Sequence, residues 1–410
     1  MVANAFANTS LVTKLSMAAF HNYLELGTKV NKQFSRDFTN KVGNSISVRR
    51  PVMFTSASGA TLGTAIGIED TVATLTLDQR HHVHFAILSQ DMTLEIDQIK
   101  SRYIEPAMYE LAQKVESTIA DEYKNIGNFS GTPGTTPSNF LAVANAKAVL
   151  SKLGVPSDKQ LCGFFDPNAS VALADGLKGV FPSEIAKKAI ERAQVGMYAG
   201  VMLYENQSLK NHTVGVVTGT PLVNGASQGV TYATAGAAWT QSLITDGWTN
   251  DTSDMVLAGD VITLAGVNSV NRRTREDTGD SATFSITADA DSGATTGPLT
   301  MTITPPIITS GPYQTCTAAP ADNAAITVKT GTASTAYRQN LIFHPDAITL
   351  AFANLDLPGA GADGARETYE NTSIRAVRQY AIGTDITTFR FDVLFGVKSL
   401  NPDMAVRVTS

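Results

Sequence analysis

The feature that most constrains this chain is a change of pattern at Thr213. Upstream of it, apolar residues recur at helical spacing; from Thr213 to Asn340 that period is lost, and Thr, Ala, Gly, Ser and Val dominate. Short β-prone runs (Val214–Val217, Met255–Leu264, Ala282–Ala288, Leu299–Ile303, Ala325–Lys329) alternate there with turn clusters such as Asp289–Gly293. Short strands punctuated by turn residues predict an all-β barrel or sandwich. Mixed patterning resumes after Leu341, so the β segment, residues 213–340, is expected to interrupt an α+β domain rather than to follow it. A chain of 410 residues has room for this at roughly 150 residues per domain.

Residues 1–44 read as an N-terminal arm. Leu11, Leu15, Ala19, Tyr23 and Leu26 fall on one helical face, with Ser10 as the expected N-cap and Gly27 as the stop. A helix this short is marginal alone and must lie against something else. Residues 45–88 begin with a strand at Ser45–Pro51 and pass through a Ser/Ala/Gly/Thr loop from Thr55 to Gly67. They end in a long alternation from Thr71 to Leu88. Ala73, Leu75, Leu77, Val83, Phe85 and Ile87 share one face of it, and Thr74, Thr76, Asp78, Arg80, His82 and His84 the other. Together these pieces predict an extended two-stranded ribbon, which is barely stable by itself and should lean on another subunit.

Residues 89–212 carry the helical part. Pro106 sits in a first turn flanked by Glu105 and Glu110, and the stripe Met108, Leu111, Val115, Ile119, Tyr123, Ile126 runs to Gly127. A second helix is expected from Ser138 to Leu153, a buried strand at Gln160–Phe165, and a further helix opening at Asp166–Asn168. Residues 341–410 supply two alternating strands, around Ile374–Ile382 and Phe389–Val397, that return to the first sheet.

Charge narrows the function. Only 17% of residues are Asp, Glu, Lys or Arg, against about 25% in ordinary soluble domains. Large subunit interfaces are depleted in charge in just this way. The net charge of −6 argues against a dedicated nucleic-acid binder, which shows a basic stripe. Cys162 and Cys316 cannot make a disulfide framework or a CxxC metal site. Residues Met1 to Phe20 lack the make-up of a secretory signal. The apolar stretch Leu341–Leu357 is broken by His344, Pro345, Asp346 and Asp356, so no membrane partner is expected.

Catalysis finds little foothold. His82 and His84 share a strand face and could meet a zinc ion if a third ligand arrived, with Asp78 the nearest same-face carboxylate; a mixed polar ribbon face is the simpler reading. Asp289, Asp291 and Gly293 start like a calcium loop, but the twelfth position from Asp289 is Thr300, not Glu. Gly225–Gly229 fits GxSxG around Ser227 without the strand–turn–helix context, and Gly359–Gly364 fits GxGxxG without a following apolar helix. No cofactor and no enzymatic activity are expected. Two charged clusters stand out in the neutral insert: Asp246, Asp251 and Asp254, and Arg272, Arg273 and Arg275 followed by Glu276, Asp277 and Asp280. With Arg49, Arg50 and Arg80 on the ribbon, they are candidate contacts between subunits, either solvated loops or complementary patches that steer one copy to another.

The order of parts resembles the major capsid (coat) protein of short-tailed double-stranded DNA phages, on the Hong Kong phage capsid fold, in the subfamily with an inserted β-barrel domain. The stretches that carry the resemblance are GNSISVRRP (Gly43–Pro51), the Pro106 helix, AGVNSVNRRT (Ala265–Thr274), NLIFHPDAITLA (Asn340–Ala351), and FRFDVLFG with NPDM (Phe389–Gly396, Asn401–Met404). It implies an α+β tailed-phage capsid fold with an N-terminal arm, extended loop, spine helix, peripheral and axial domains and an inserted all-β barrel. It also implies pentamers and hexamers of one chain forming an icosahedral shell in the virion, assembled in the bacterial cytoplasm. A scaffolding protein and a portal protein would be partners, and the shell would enclose double-stranded DNA without reading its sequence and expand as DNA is packaged. An acidic loop of the inserted domain would bridge capsomers, with Asp246, Asp251 and Asp254 the nearest match.

Three rival readings remain. An encapsulin-like bacterial compartment keeps the fold but does not predict the β insert. A metal-dependent enzyme would be built around His82 and His84. A β-rich adhesin or tail protein is disfavoured by the Pro106 helix.

Overall fold

The computed structural model describes residues 9–40, 43–56, 71–88, 100–177, 196–359 and 363–409. The tip of the Thr55–Gly67 loop and the centre of the Gly359–Gly364 run lie outside the described residues. The chain divides into two units, one of Met1–Ser47, Thr74–Ala120 and Ile348–Lys398, the other of Val48–Ala73, Asp121–Ala347 and Ser399–Ser410.

The first unit is a sheet with two helices. Its strands lie in the order Ile348–Phe352, Ile386–Ser399, Thr372–Ala381, Asp363–Tyr369, and Gln79–Leu88 also pairs with Ile386–Ser399. That last ladder is antiparallel and unbroken from Ile386↔Leu88 to Phe395↔Gln79. Ser45–Arg49 instead pairs with Val72–Thr76 in a separate two-stranded sheet. The ribbon expected over residues 45–88 is therefore split near Leu77. Side-chain alternation is indifferent to which neighbour supplies the hydrogen bonds, so it reveals a strand but not its partner. Gly396 lies so close to the Thr76 carbonyl that a Cβ there would collide with it.

The helix Thr9–Tyr23 buries a face rotated from the one expected and shares only Ala19 with it. Val12, Thr13, Ser16, Met17, Ala19 and Phe20 are inside, while Leu11 and Tyr23 are exposed. The hydroxyls explain the rotation. Thr13 Oγ1 donates to the Thr9 carbonyl at 2.7 Å and Ser16 Oγ to the Val12 carbonyl at 2.8 Å, so both residues are buried without an unmet polar group. Phe20 meets Phe352 edge-on at 6.5 Å. The second helix, Glu105–Asp121, buries Met108, Leu111, Val115 and Ile119 as expected. It also buries Glu116, which is 2% exposed and accepts the backbone N–H groups of Leu26 (3.0 Å) and Gly27 (2.8 Å).

The second unit holds two sheets. In the first, the strand order is Phe129–Ser130, Ala405–Thr409, Ala336–Phe343, Leu161–Phe165, Val201–Glu205, Met197–Tyr198, with Asn211–Thr213 also on Ala336–Phe343. The Phe140–Lys152 helix packs on it through Val143, Ala146 and Leu150. Its N-cap is Asn139, whose Oδ1 accepts the Ala142 N–H at 2.9 Å.

The second sheet lies within the neutral segment. Its order is Ile326–Val328, Val261–Val270, Asp277–Ile286, Leu299–Thr304, Gln241–Trp248, Gly219–Val223. The two ends meet: Leu222 bridges Ala325, and Val223 N donates to the Ala324 carbonyl at 3.0 Å. The six strands thus nearly close into a barrel around Phe284, Leu243, Ile262, Met301 and Ile303. Two of these strands carry turn-like sequence. Gly219–Val223 contains Gly and Pro, and Gln241–Trp248 contains Asp246-Gly247, where the register shifts and Gly247 takes φ +74°. Val214–Val217, expected as a strand, follows Asn211–Thr213 without belonging to one, and the run expected from Met255 enters its strand only at Val261.

Candidate functional site

Four of the arginines singled out in the sequence converge. Arg50, Arg272, Arg273 and Arg275 line a cavity of about 410 Å³ in the second unit, together with Tyr232, Trp239, Tyr313 and Asp403. Arg50 follows the strand Ser45–Arg49; its backbone N–H donates to Thr71 at 3.1 Å and its Nη1 to the Leu400 carbonyl. Arg272 lies in the turn between two barrel strands, where its N–H reaches the Leu153 carbonyl at 3.1 Å and its Nη2 lies 3.0 Å from Asp403. The two guanidiniums lie over the Trp239 ring, 5.3 and 5.6 Å from its centre.

Trp239 is held in place by its backbone N–H, which donates to the Ala235 carbonyl at 2.7 Å. Tyr232 stacks on Tyr313 with ring centres 3.4 Å apart, and Thr71 Oγ1 donates to the Tyr232 hydroxyl at 2.7 Å. Burial lowers the pKa of Arg50 from its ordinary value, and the opposite charge of Asp403 works against that shift. Burial likewise raises the Tyr232 phenol. Arg275 Nη2 donates to the carbonyl of Phe54 (3.0 Å), and Arg273 Nε to that of Gly154 (3.0 Å). The result is a cationic, aromatic-walled socket.

The other candidates lie apart from it. Arg49 is exposed. Arg80 belongs to the first unit, its Nη2 3.9 Å from the buried Asp392, which Arg375 and Arg390 hold at 2.7 and 2.8 Å. Asp246 is half-buried opposite Leu222, while Asp251 and Asp254 are exposed in turns at φ +48° and +53°. Asp291 Oδ1 accepts the Asp254 N–H (2.8 Å) and Asp289 Oδ1 the Ala258 N–H (2.7 Å), so the calcium-like run ties loops together. His82 and His84 stack 5.6 Å apart. Among the described residues no group of three His, Cys, Asp or Glu is placed to hold a metal ion. Ser227 is exposed in a loop at φ +61°. Among the described residues no helix is long and apolar enough to cross a membrane.

A model of the family described as P22 coat protein, gene protein 5, matches residues 1–409. The chain belongs to the P22 coat protein family. It is a phage major capsid protein, a structural subunit of the virion shell, and its family is not one of enzymes. Solved structures with a similar trace include one from Mycobacterium phage Che8, at 13% identity over 94% of this chain and 90% of that one, with TM-score 0.48. The capsid of Cyanophage P-SCSP1u gives 11% identity, 89% and 83% coverage, and TM-score 0.42. The mature capsid of bacteriophage PhiM1 gives 10%, 90% and 82%, and 0.41. No curated protein sequence matches the chain.

Part of this coat protein's polar architecture left no trace in sequence patterning. Tyr123, His212, Asp260 and Arg407 form a buried network in the second unit: the Tyr123 hydroxyl lies 3.2 Å from His212 Nδ1, and His212 Nε2 lies 2.9 Å from Asp260 Oδ1. Arg407 Nη1 donates to the Gly259 carbonyl at 2.7 Å, with its guanidinium 5.6 Å from the Tyr123 ring centre. Burial pushes the Tyr123 phenol up to about 12 and Arg407 down to about 10. The aromatic half of the socket was equally silent. Tyr232 and Trp239 are seven residues apart but Tyr313 lies far along the chain, and only the barrel's connections bring all three to the arginines.

Proposed function

We propose that this coat protein assembles as pentamers and hexamers into an icosahedral shell around double-stranded DNA. The shell would be built first as a scaffolded procapsid in the bacterial host cytoplasm, with a portal protein in place, and would mature on packaging. The family match over residues 1–409 carries the reading. Within it, residues 1–44 serve as an arm, 45–88 as the extended loop that lies over a neighbour, and 89–212 with 341–410 as the peripheral and axial parts. Residues 213–340 serve as the inserted barrel, a role that the near-closure of its six-stranded sheet supports. Arg49, Arg50, Arg80, Arg272, Arg273 and Arg275 on one side, and Asp246, Asp251 and Asp254 on the other, supply contacts between copies. A net charge of −6 suits a container wall, since a basic lining would hold DNA against it.

The test is co-expression of the chain with its scaffolding protein, followed by negative-stain electron microscopy. Closed shells of one defined size are expected. A field of monomers and dimers would overturn the proposal.

A further inference from the structure

We infer that the cavity around Trp239 is a socket for a hairpin tip, Ile382–Asp385, of a second copy of this chain. The inference rests on the shell-forming reading above and names one contact within it.

The socket itself calls for a partner. Arg50 Nε, Arg272 Nε, Arg275 Nε and Trp239 Nε1 are buried without a hydrogen-bond acceptor, and all four residues line this cavity. Buried donors are rarely left unpaired in a finished structure, and a cluster of them points to acceptors brought from outside. Four arginines face one carboxylate, Asp403, among the described lining residues. Phe54, 71% exposed, and Met53 add an apolar wall. The occupant should therefore carry a carboxylate beside an aliphatic side chain.

Nucleic acid fits less well. Trp239 already lies under two guanidiniums, and Tyr232 and Tyr313 each use a face on the other, whereas single strands are held by stacking bases on open aromatic faces.

The chain itself carries a matching plug. The strands Thr372–Ala381 and Ile386–Ser399 form a hairpin whose connection presents Ile382, 87% exposed and the most exposed large apolar residue among those described. Three positions on, Asp385 sits in the turn at φ +51° and its Oδ1 accepts the Tyr380 hydroxyl at 2.8 Å. Only Gly383 and Thr384 separate the two. A hairpin tip is narrow, and this one places an aliphatic side chain and a carboxylate at its end. A protruding anchor entering a cavity with a charged partner is the pattern of an interface hot spot.

Disulfide trapping tests the contact. A full-length chain with Phe54→Cys and Ile382→Cys is co-expressed with scaffolding protein, and the shells are oxidised and run on a non-reducing denaturing gel. The native Cys162 and Cys316 are buried, so each single substitution serves as a control. The double variant is expected to run as covalent dimers and higher multiples, and each single variant as monomer. Intact shells whose double-variant chains stay monomeric overturn the inference, as does a bond formed within one chain. Wild-type chain that makes no shells overturns the shell-forming reading and this contact with it.

A second variant, Asp385→Arg, places like charge against the socket. Shell yield should fall by about tenfold or more, while the subunit keeps its wild-type circular dichroism. Wild-type yield from this variant also overturns the inference.

Discussion

His212 Nε2 lies 2.9 Å from Asp260 Oδ1, and both side chains are almost wholly buried. On the other side of the ring the Tyr123 hydroxyl, kept protonated by burial, lies 3.2 Å from His212 Nδ1. Asp260 also accepts from Gly215 N (3.1 Å), Leu257 N (2.8 Å) and Thr330 Oγ1 (3.0 Å). One carboxylate therefore joins the start of a barrel strand, the loop before it and the strand Asn211–Thr213 of the neighbouring sheet.

Asp260→Ala should be among the more damaging single changes in the second unit. It strands four donors in the interior, and each buried donor left unmet typically costs about 1–3 kcal/mol. Urea unfolding of the isolated subunit, followed by tryptophan fluorescence, reads this as a lower midpoint with little change in slope. An unchanged midpoint would mean that the carboxylate is dispensable.

Glu116 gives the first unit a comparable device. Its two oxygens receive Leu26 N and Gly27 N, so the turn after the N-terminal helix is anchored to the second helix. Glu116→Ala leaves both donors buried and unmet, at about 1–3 kcal/mol for each group so orphaned. Glu116→Gln keeps one acceptor oxygen and should lose roughly half as much. Parallel denaturation curves of the two variants check the ranking, and equal losses would contradict it.

Which of these features could be read in advance follows from what a pattern encodes. The alternation through Val83, Phe85 and Ile87 predicts the strand Gln79–Leu88 because side-chain direction is local. Its partner, Ile386–Ser399, lies far along the chain, and nothing local names it. The N-terminal helix was legible, but its inner face was not, because Thr13 and Ser16 hide their hydroxyls in the helix's own carbonyls. Three of the socket's four arginines were visible as charge in a neutral segment, and Arg50 as charge on the expected ribbon. Trp239 and the Tyr232–Tyr313 pair were not, since topology alone brings them there. Glu116 and Asp260 were invisible for a related reason: several of their partners are backbone N–H groups, which carry no residue signature.

Cys316 in the barrel core should be inert to thiol reagents while the protein is folded. Burial raises its pKa to about 11, against the weaker lowering effect of Thr315. At pH 8 the folded thiolate fraction is then about one in a thousand, compared with roughly a quarter for an unperturbed thiol. Labelling kinetics with and without urea test this, the expected gap being about a hundredfold or more. The sign for stability follows. The folded state holds its proton to a higher pH than the unfolded state, so the contribution is intact below about pH 8.5 and is lost as pH rises toward about 11. Cys316→Ala should flatten that alkaline slope.

Gly396 should tolerate no side chain. A Cβ there would run into the carbonyl carbon and oxygen of Thr76 and crowd the Cα of Leu77. All of these are backbone atoms, so no rotamer change relieves the contact, and the strand Ile386–Ser399 or the turn after Val72–Thr76 must move. Overpacking of this kind typically costs about 1–3 kcal/mol, more where the obstacle is main chain. Gly396→Ala should therefore lower the thermal midpoint of the subunit. It should also speed hydrogen exchange along the ladder of Gln79–Leu88 with Ile386–Ser399, because the displaced strand carries that ladder. The barrel amides of Val261–Val270 and Asp277–Ile286 belong to the other unit and should keep their wild-type exchange rates, which makes them the internal control. Equal protection of both regions in the variant and the wild type would show that the close approach of Gly396 to Thr76 relaxes without cost.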